Sequence, residues 1–311
     1  MFRSLTIAVT VSLVTLLLVY GMVTEGRARR TRTLLDELPS TAHAVVRIDV
    51  RALRRSAAMR ALVEAMLADD RLSEIETACG LNPIADLREV RIWVRGSETQ
   101  PLQSLGLMLE GDGVDGEALA RCHKQLVEAR GGSVVRVEAT TGPVLSSRDG
   151  MSAIALLDES TVVTGSARTV AETVAASRNL RPALAHRPSM ARLWSEVATN
   201  ASVAAVAELP DHWKKGIGRA VSPDALASAL EDVEAIGVSL GLRDERRARL
   251  ILDVESEALA ARSAERIRAW AEAPPSSVRP PWDAVLRSAQ VVVAGRSLRI
   301  DLDISQLLHG G

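Results

Sequence analysis

An α+β fold is what this sequence predicts: a largely antiparallel sheet with helices packed on one face, in two similar halves behind an N-terminal transmembrane helix. Three observations carry that prediction. Apolar residues alternate with period two in many short runs, and turn residues rather than long helices separate most of them. Fewer stretches show the 3.6-residue apolar stripe of an amphipathic helix. Three blocks also recur in the same order along the chain, as a duplicated domain would leave them.

The first element is apolar throughout. Ser4 to Val23 is twenty residues without a charge or a proline, and as a helix it would be about 30 Å long, the thickness of a bilayer's hydrocarbon core. The only Phe and the only Tyr, Phe2 and Tyr20, lie at or near its ends, where rings favour the interface. A cleaved signal peptide has a shorter apolar core and a small-residue cleavage site, which is missing before Glu25. A retained anchor is therefore expected, with residues 1–33 forming the anchor and its basic flank. Arg27, Arg29, Arg30 and Arg32 follow the span and Arg3 precedes it, a bias towards a cytoplasmic body. The rest of the chain carries 33 basic and 38 acidic residues, net -5, and such an acidic body is not expected to lie on an anionic membrane. The side of the membrane stays open on these grounds.

The first half is assigned to residues 34–180. Ala44, Val46, Ile48 and Val50 alternate with Val45, Arg47 and Asp49 in a strand. A helix follows from about Arg51 to Ala68, with Leu53, Met59, Leu62, Val63, Met66 and Leu67 on one face and Asp49 as N-cap. A second helix near Arg71–Cys79 stops at Gly80. Strands are expected at Glu89–Arg95 and Ser104–Glu110, and a helix over Asp115–Arg130. A meander then runs through Ser133–Glu138, Val144–Ser147, Met151–Leu157 and Thr161–Thr164, with Asp149-Gly150 as a two-residue hairpin turn. Arg178–Pro188 reads as the boundary. The second half, residues 181–311, ends in a hairpin of Gln290–Ala294 and Ser297–Asp303 around Gly295-Arg296. Ser40–Val50 resembles Thr199–Leu209, Leu87–Gly96 resembles Leu230–Gly241, and Ser104–Leu126 resembles Ala248–Trp270.

Composition limits the function. The 311 residues are 47% apolar and 25% charged, with only 2% aromatic, so Ala, Val, Leu and Ile must fill the core. A net charge of -1 lacks the basic surface of a nucleic-acid binder. Cys79 and Cys122 are the only cysteines, too few for a disulfide-dense scaffold or a four-thiolate metal site. Each lies on an apolar stripe and reads as a buried free thiol, with pairing left open for an exported body. His43, His186, His212 and His309 show no metal spacing.

Two motifs invite chemistry. Gly111-Asp112-Gly113-Val114-Asp115-Gly116 has the spacing of a dinucleotide-binding turn, with Glu138 near the end of the next strand. Glu110, Asp112 and Asp115 crowd the place a pyrophosphate would take, no Lys or Arg is expected to offset them, and Asp115 as an N-cap explains the turn. Gly237-Val238-Ser239-Leu240-Gly241 has the nucleophile-elbow spacing, yet Ser239 falls inside a strand, and the only histidine downstream is His309. No catalytic, cofactor-binding or metal-ligating residue is assigned. Arg91, Trp93 and Arg95 share a strand face expected to be solvated, the alternative being a docking surface. Trp213 and Ile217 are expected to dock on the sheet while Lys214 and Lys215 face water. Asp301 and Asp303 read as a solvated face.

Leu38-Pro39-Ser40-Thr41-Ala42, the strand to Asp49, and Ala52-Leu53-Arg54-Arg55-Ser56 together resemble a group of uncharacterised bacterial envelope proteins. Gly80-Leu81-Asn82-Pro83 and Asp86-Leu87 fit the same pattern. The resemblance covers residues 38 to 308 and implies an export signal or anchor with a periplasmic body, without known catalytic residues. The expectation is a single-pass inner-membrane protein, a non-enzymatic envelope binding or scaffold protein with a protein partner. The alternatives are a component of a secretion or pilus-type apparatus, or an enzyme acting at Gly111–Gly116 or Ser239.

Overall fold

A computed structural model of the chain describes residues 34–56, 77, 80, 85–96, 104–112, 115–139, 142–211, 213–214, 232–242, 246–274 and 282–305. The apolar span 4–23, the helix expected near Arg71–Cys79 and most of the one expected to reach Ala68 lie outside these residues. Among the described residues, no helix is long and apolar enough to cross a membrane. The fold is α+β with antiparallel sheet, in two compact units that divide between Ala191 and Arg192.

In the first unit, β1 (Ala44–Asp49), β2 (Leu87–Arg95) and β3 (Ser104–Gly111) form an antiparallel meander. Asp49 ends β1 and accepts the amide of Arg51 at 3.1 Å, which starts α1 (Val50–Arg55). After β3 comes α2 (Gly116–Ala129), then β4 (Val134–Ala139), β5 (Gly142–Ser147), β6 (Ala153–Asp158), β7 (Thr161–Gly165) and α3 (Ala167–Ser177). The strand order is β1-β2-β3-β7-β6-β5-β4, so β7 returns to pair with β3. The turn between β5 and β6 is wider than two residues: the amide of Ser147 bonds the carbonyl of Ser152, and Arg148–Met151 lie between them. Asp149 serves there as an acceptor for Met151 and Ser147, and only Gly150 of that turn takes positive φ.

The second unit begins within α4 (Pro188–Val197) and continues through β8 (Val203–Glu208), β9 (Val233–Gly241), β10 (Arg247–Val254), α5 (Glu257–Glu272), α6 (Trp282–Arg287), β11 (Gln290–Ala294) and β12 (Ser297–Asp303). Its strand order is β11-β12-β10-β9-β8. Gly295, at φ +59°, turns the two-residue β11–β12 hairpin.

Both units therefore hold a three-strand meander, a capped helix, and a closing hairpin whose second strand pairs with the third of the meander. Asp115 caps α2 and Ser256 caps α5 through amide hydrogen bonds. The three resembling sequence blocks fall on β1 and β8, on β2 and β9, and on β3–α2 and β10–α5. The first unit carries β4–β5 in addition.

Helices lie on both faces of each sheet rather than on one. In the first unit Glu172 of α3 pairs with Arg95 of β2, while Gly116 of α2 abuts Leu156, whose side chain points to the opposite face. In the second, Leu193 and Val197 of α4 lie over Gly237, beside Ile251. Ala260 and Ala264 of α5 pack with the alternate residues Leu252, Leu298 and Ile300. The physical cause is that successive strand residues, such as Val45-Val46 and Ile251-Leu252, are both buried. Such a strand needs cover on both sides.

Candidate functional site

Among the described residues, a dense array of ionisable groups lies on one face of β1–β2–β3. Arg47, Arg91 and Met108 are in register across the three strands, and Asp49, Glu89 and Glu110 form the next row. Arg91 donates to Glu110 at 2.7 Å and also to Glu89 and Glu37. Burial opposes its charge, but Glu89, Glu37 and Glu110 outweigh burial and raise its pKa above the ordinary value. Burial raises the Glu37 carboxyl above its usual range, against the pull of Arg91. Arg88 bridges Glu110 and Asp112, and Arg51 also meets Asp112. Arg47 stands 3.9 Å from Glu89. Arg47, Arg51, Arg88 and Arg91 thus pair with Glu37, Glu89, Glu110 and Asp112, and Asp49 is a further carboxylate in the same row.

The expected solvated face of Arg91, Trp93 and Arg95 is instead covered, with Trp93 buried and the two arginines partly buried. Trp93 is 2% exposed, and it faces Gly106, where a Cβ would overlap the indole. Glycine there makes room for the ring. Arg95 pairs with Glu172 at 3.0 Å, and Arg168 donates to the same carboxylate at 2.9 Å. Burial would raise the Glu172 pKa, but these arginines overcome it and lower it. The covering groups, Glu37 and Glu172, are distant in sequence, which is why the strand pattern alone mistook this face for a wet one.

The glycine-rich turn is organised by the same network. Asp112 and Glu110 do have basic neighbours, Arg51 and Arg88, brought from α1 and β2. The carboxylate of Asp115 takes the amides of Glu117 (2.9 Å) and Ala118 (3.2 Å), the donors a phosphate at this helix N-terminus would need. A Cβ at Gly111 would collide with the carbonyl oxygen of Asp86, and one at Gly116 with Leu156. These two glycines serve close packing of the protein on itself. Gly113 lies outside the described residues, and so does the side chain of Glu138.

Ser239 sits mid-strand in β9, opposite Ala204 on one side and Arg249 on the other. An elbow requires a sharp turn that expels the serine, whereas here the backbone is paired on both sides. His212, Lys215, Ile217, His309 and Cys79 lie outside the described residues. Trp213 packs on the second unit's apolar cluster. Lys214 is largely covered rather than facing water and lies 3.6 Å from Asp211. Asp301 accepts from Arg249 at 2.7 Å and pairs with Arg299 at 3.1 Å, so it is a cross-strand ion pair rather than a free solvated group. Asp303 remains exposed and accepts from Ser305.

One feature was left open by the sequence and another was not visible in it. Cys122 is disulfide-bonded, and Cys79 is the chain's other cysteine. The free-thiol expectation is corrected accordingly. The neighbouring His123 is 8% exposed, and its Nε2 lies 2.9 Å from the Ser152 hydroxyl. Among the described residues the serine–histidine pair lacks the orienting acid of a triad: none of them bonds the buried His123 Nδ1, and Asp149 bonds Ser147 and Met151 instead. Burial lowers the His123 pKa below its ordinary 6.5. Unfolded chains then take the proton first as pH falls, so the stabilisation is complete above about 6.5 and is lost below it. Urea midpoints of the wild type should decline from about pH 7.5 to about pH 5, and His123→Gln should flatten that decline. An unchanged pH slope in the variant would assign the decline to other groups.

No family model matches the chain, and no curated protein matches it. Solved structures similar to it include crystal forms of TP0453. Form III is 12% identical, covering 90% of this chain and 98% of that one at a TM-score of 0.47. Form IV is 11% identical, covering 90% and 96%, at a TM-score of 0.48.

Proposed function

We propose that this protein is a single-pass, membrane-anchored, non-enzymatic binding or scaffold protein of a cell envelope, with its folded body on the oxidising side of the membrane. The observation that carries the reading is the uncharged twenty-residue stretch from Ser4 to Val23, long enough to span a bilayer as a helix. The disulfide at Cys122 supports the exported side, because reducing compartments keep thiols free. The arginines after the span favour the opposite orientation, but a long domain translocates despite such a flank. We further infer that the two units are diverged copies, since their strand order and the three recurring sequence blocks agree. A scaffold role suits the site geometry: the charged groups of the β1–β2–β3 face hold one another in a packed network of ion pairs. A protein partner remains part of this proposal.

The test uses the full chain. After expression, it should stay with carbonate-washed membranes and require detergent for release. Alkaline phosphatase fused after residue 311 should be active, because that enzyme matures only where disulfides form. A chain recovered in the soluble fraction would remove the anchor, and an inactive fusion on membrane-bound protein would place the body in the cytoplasm.

A further inference from the structure

The surface around Arg178–Pro182 is, we infer, the part of the body that rests on the bilayer, with Leu180 in the interface and Arg178 and Arg181 on lipid phosphates; this rests on the anchored reading above. Ten residues separate Val23, the end of the apolar span, from Leu34. Fully extended they reach about 35 Å, and as a flexible chain they reach about 20 Å. Leu34, Leu35 and Leu38 are already buried in the first unit, so the tether ends at a fixed place on it. That place is stitched to the loop after α3. Pro39 bridges Ala183, the amide of Ser40 bonds the carbonyl of Pro182 at 3.1 Å, and the amide of Leu184 bonds the carbonyl of Leu38 at 2.8 Å. Arg187 adds hydrogen bonds to the carbonyls of Ser40 and Ala42. The loop is therefore held beside the point where the chain leaves for the membrane.

Its shape is fixed as well. Asn179 takes the left-handed conformation at φ +58°. The amides of Asn179 and Leu180 return to the carbonyls of Ala176 and Ala175 at 2.9 and 2.8 Å. This is the paired hydrogen-bond stop of a helix, in which an apolar residue at the position of Leu180 ordinarily folds back onto the last turn. Leu180 instead stands 59% exposed, and Arg178, Arg181 and Pro182 beside it are exposed too. An apolar side chain raised between two arginines, on a rigid turn, matches a headgroup layer with acyl chain beneath it. The body as a whole is acidic, so only such a local basic surface can face anionic lipid without repulsion. In sequence, Arg27, Arg29, Arg30 and Arg32 lie between the apolar span and Leu34.

The full chain with Leu180→Cys, labelled on that thiol with the fluorophore NBD, reads this out, because Cys122 is disulfide-bonded and does not compete. Met151→Cys, at a position 76% exposed elsewhere in the same unit, is the control. In vesicles of equal phosphatidylglycerol and phosphatidylcholine, shallow spin-labelled lipid should quench the label at 180 by about half, with a blue shift, and spare the label at 151. Adding Arg178→Glu and Arg181→Glu should abolish that quenching while the chain still floats with the vesicles. A label at 180 that stays unquenched on floating vesicles, or equal quenching at both positions, would overturn the orientation and leave the anchor standing. A chain that does not float would overturn the anchor, and this inference with it.

Discussion

Replacing Arg91 by methionine is expected to lower unfolding stability by about 3–5 kcal/mol near neutral pH, the range for removing one partner of a buried ion pair. Methionine keeps much of the volume, so the loss is electrostatic rather than a cavity. Without the guanidinium, Glu37, Glu89 and Glu110 face one another with only Arg88 and Arg47 nearby. The burial that already raises Glu37 then acts with less opposition. A carboxyl whose folded pKa is raised destabilises above that pKa and is relieved as pH falls through it. Unfolding by urea should therefore show a larger difference between variant and wild type at about pH 8 than at about pH 5. Adding Glu37→Gln should recover part of the loss. A difference below about 1 kcal/mol, or one independent of pH, would mean that this network is as weak as a surface ion pair.

The same arginine marks the limit of what the sequence could reveal. Local physics was readable: β11 and β12 fall on the residues their alternation indicates, Asp49 and Asp115 cap the helices they precede, and Gly80 is left-handed at φ +61°. Each depends on residues within a few positions of one another. Whether Arg91 was wet depended on Glu37, which lies 54 positions away, and on pairings the alternation does not specify. The strand runs were visible, but not that β7, while paired with β6, also sits against β3. Both parities of several strands are apolar, a pattern which already indicates two covered faces. Reading only the cleaner parity led to helices on one face. The glycine-rich turn illustrates the converse. Its acidic residues were visible, but the arginines that neutralise them come from two other elements. For the candidate site, the sequence supplied the residue types, and the tertiary pairing decided that they hold each other.

Reducing the disulfide at Cys122 is expected to cost about 2–4 kcal/mol, with a matching fall in the urea midpoint and the same midpoint for Cys122→Ser without reductant. An intrachain bond to Cys79 closes a loop that contains β2, β3 and the start of α2. Closing it removes unfolded conformations that the reduced chain regains. The bond also bears on a thinly held element. Cys122 and Leu119 are the buried apolar side chains of α2 beyond its first residue, and the adjacent His123 reaches the sheet through one hydrogen bond to Ser152. Loosening α2 admits water to the His123 ring, so the reduced protein should also lose part of its acid sensitivity. The compartment enters through the thiol count. Protein taken from membranes with an alkylating agent present should titrate no thiol when denatured, and two after reduction. Two thiols before reduction would leave the fold intact but place the body among reducing agents, and the Arg27–Arg32 flank would then have predicted the side correctly.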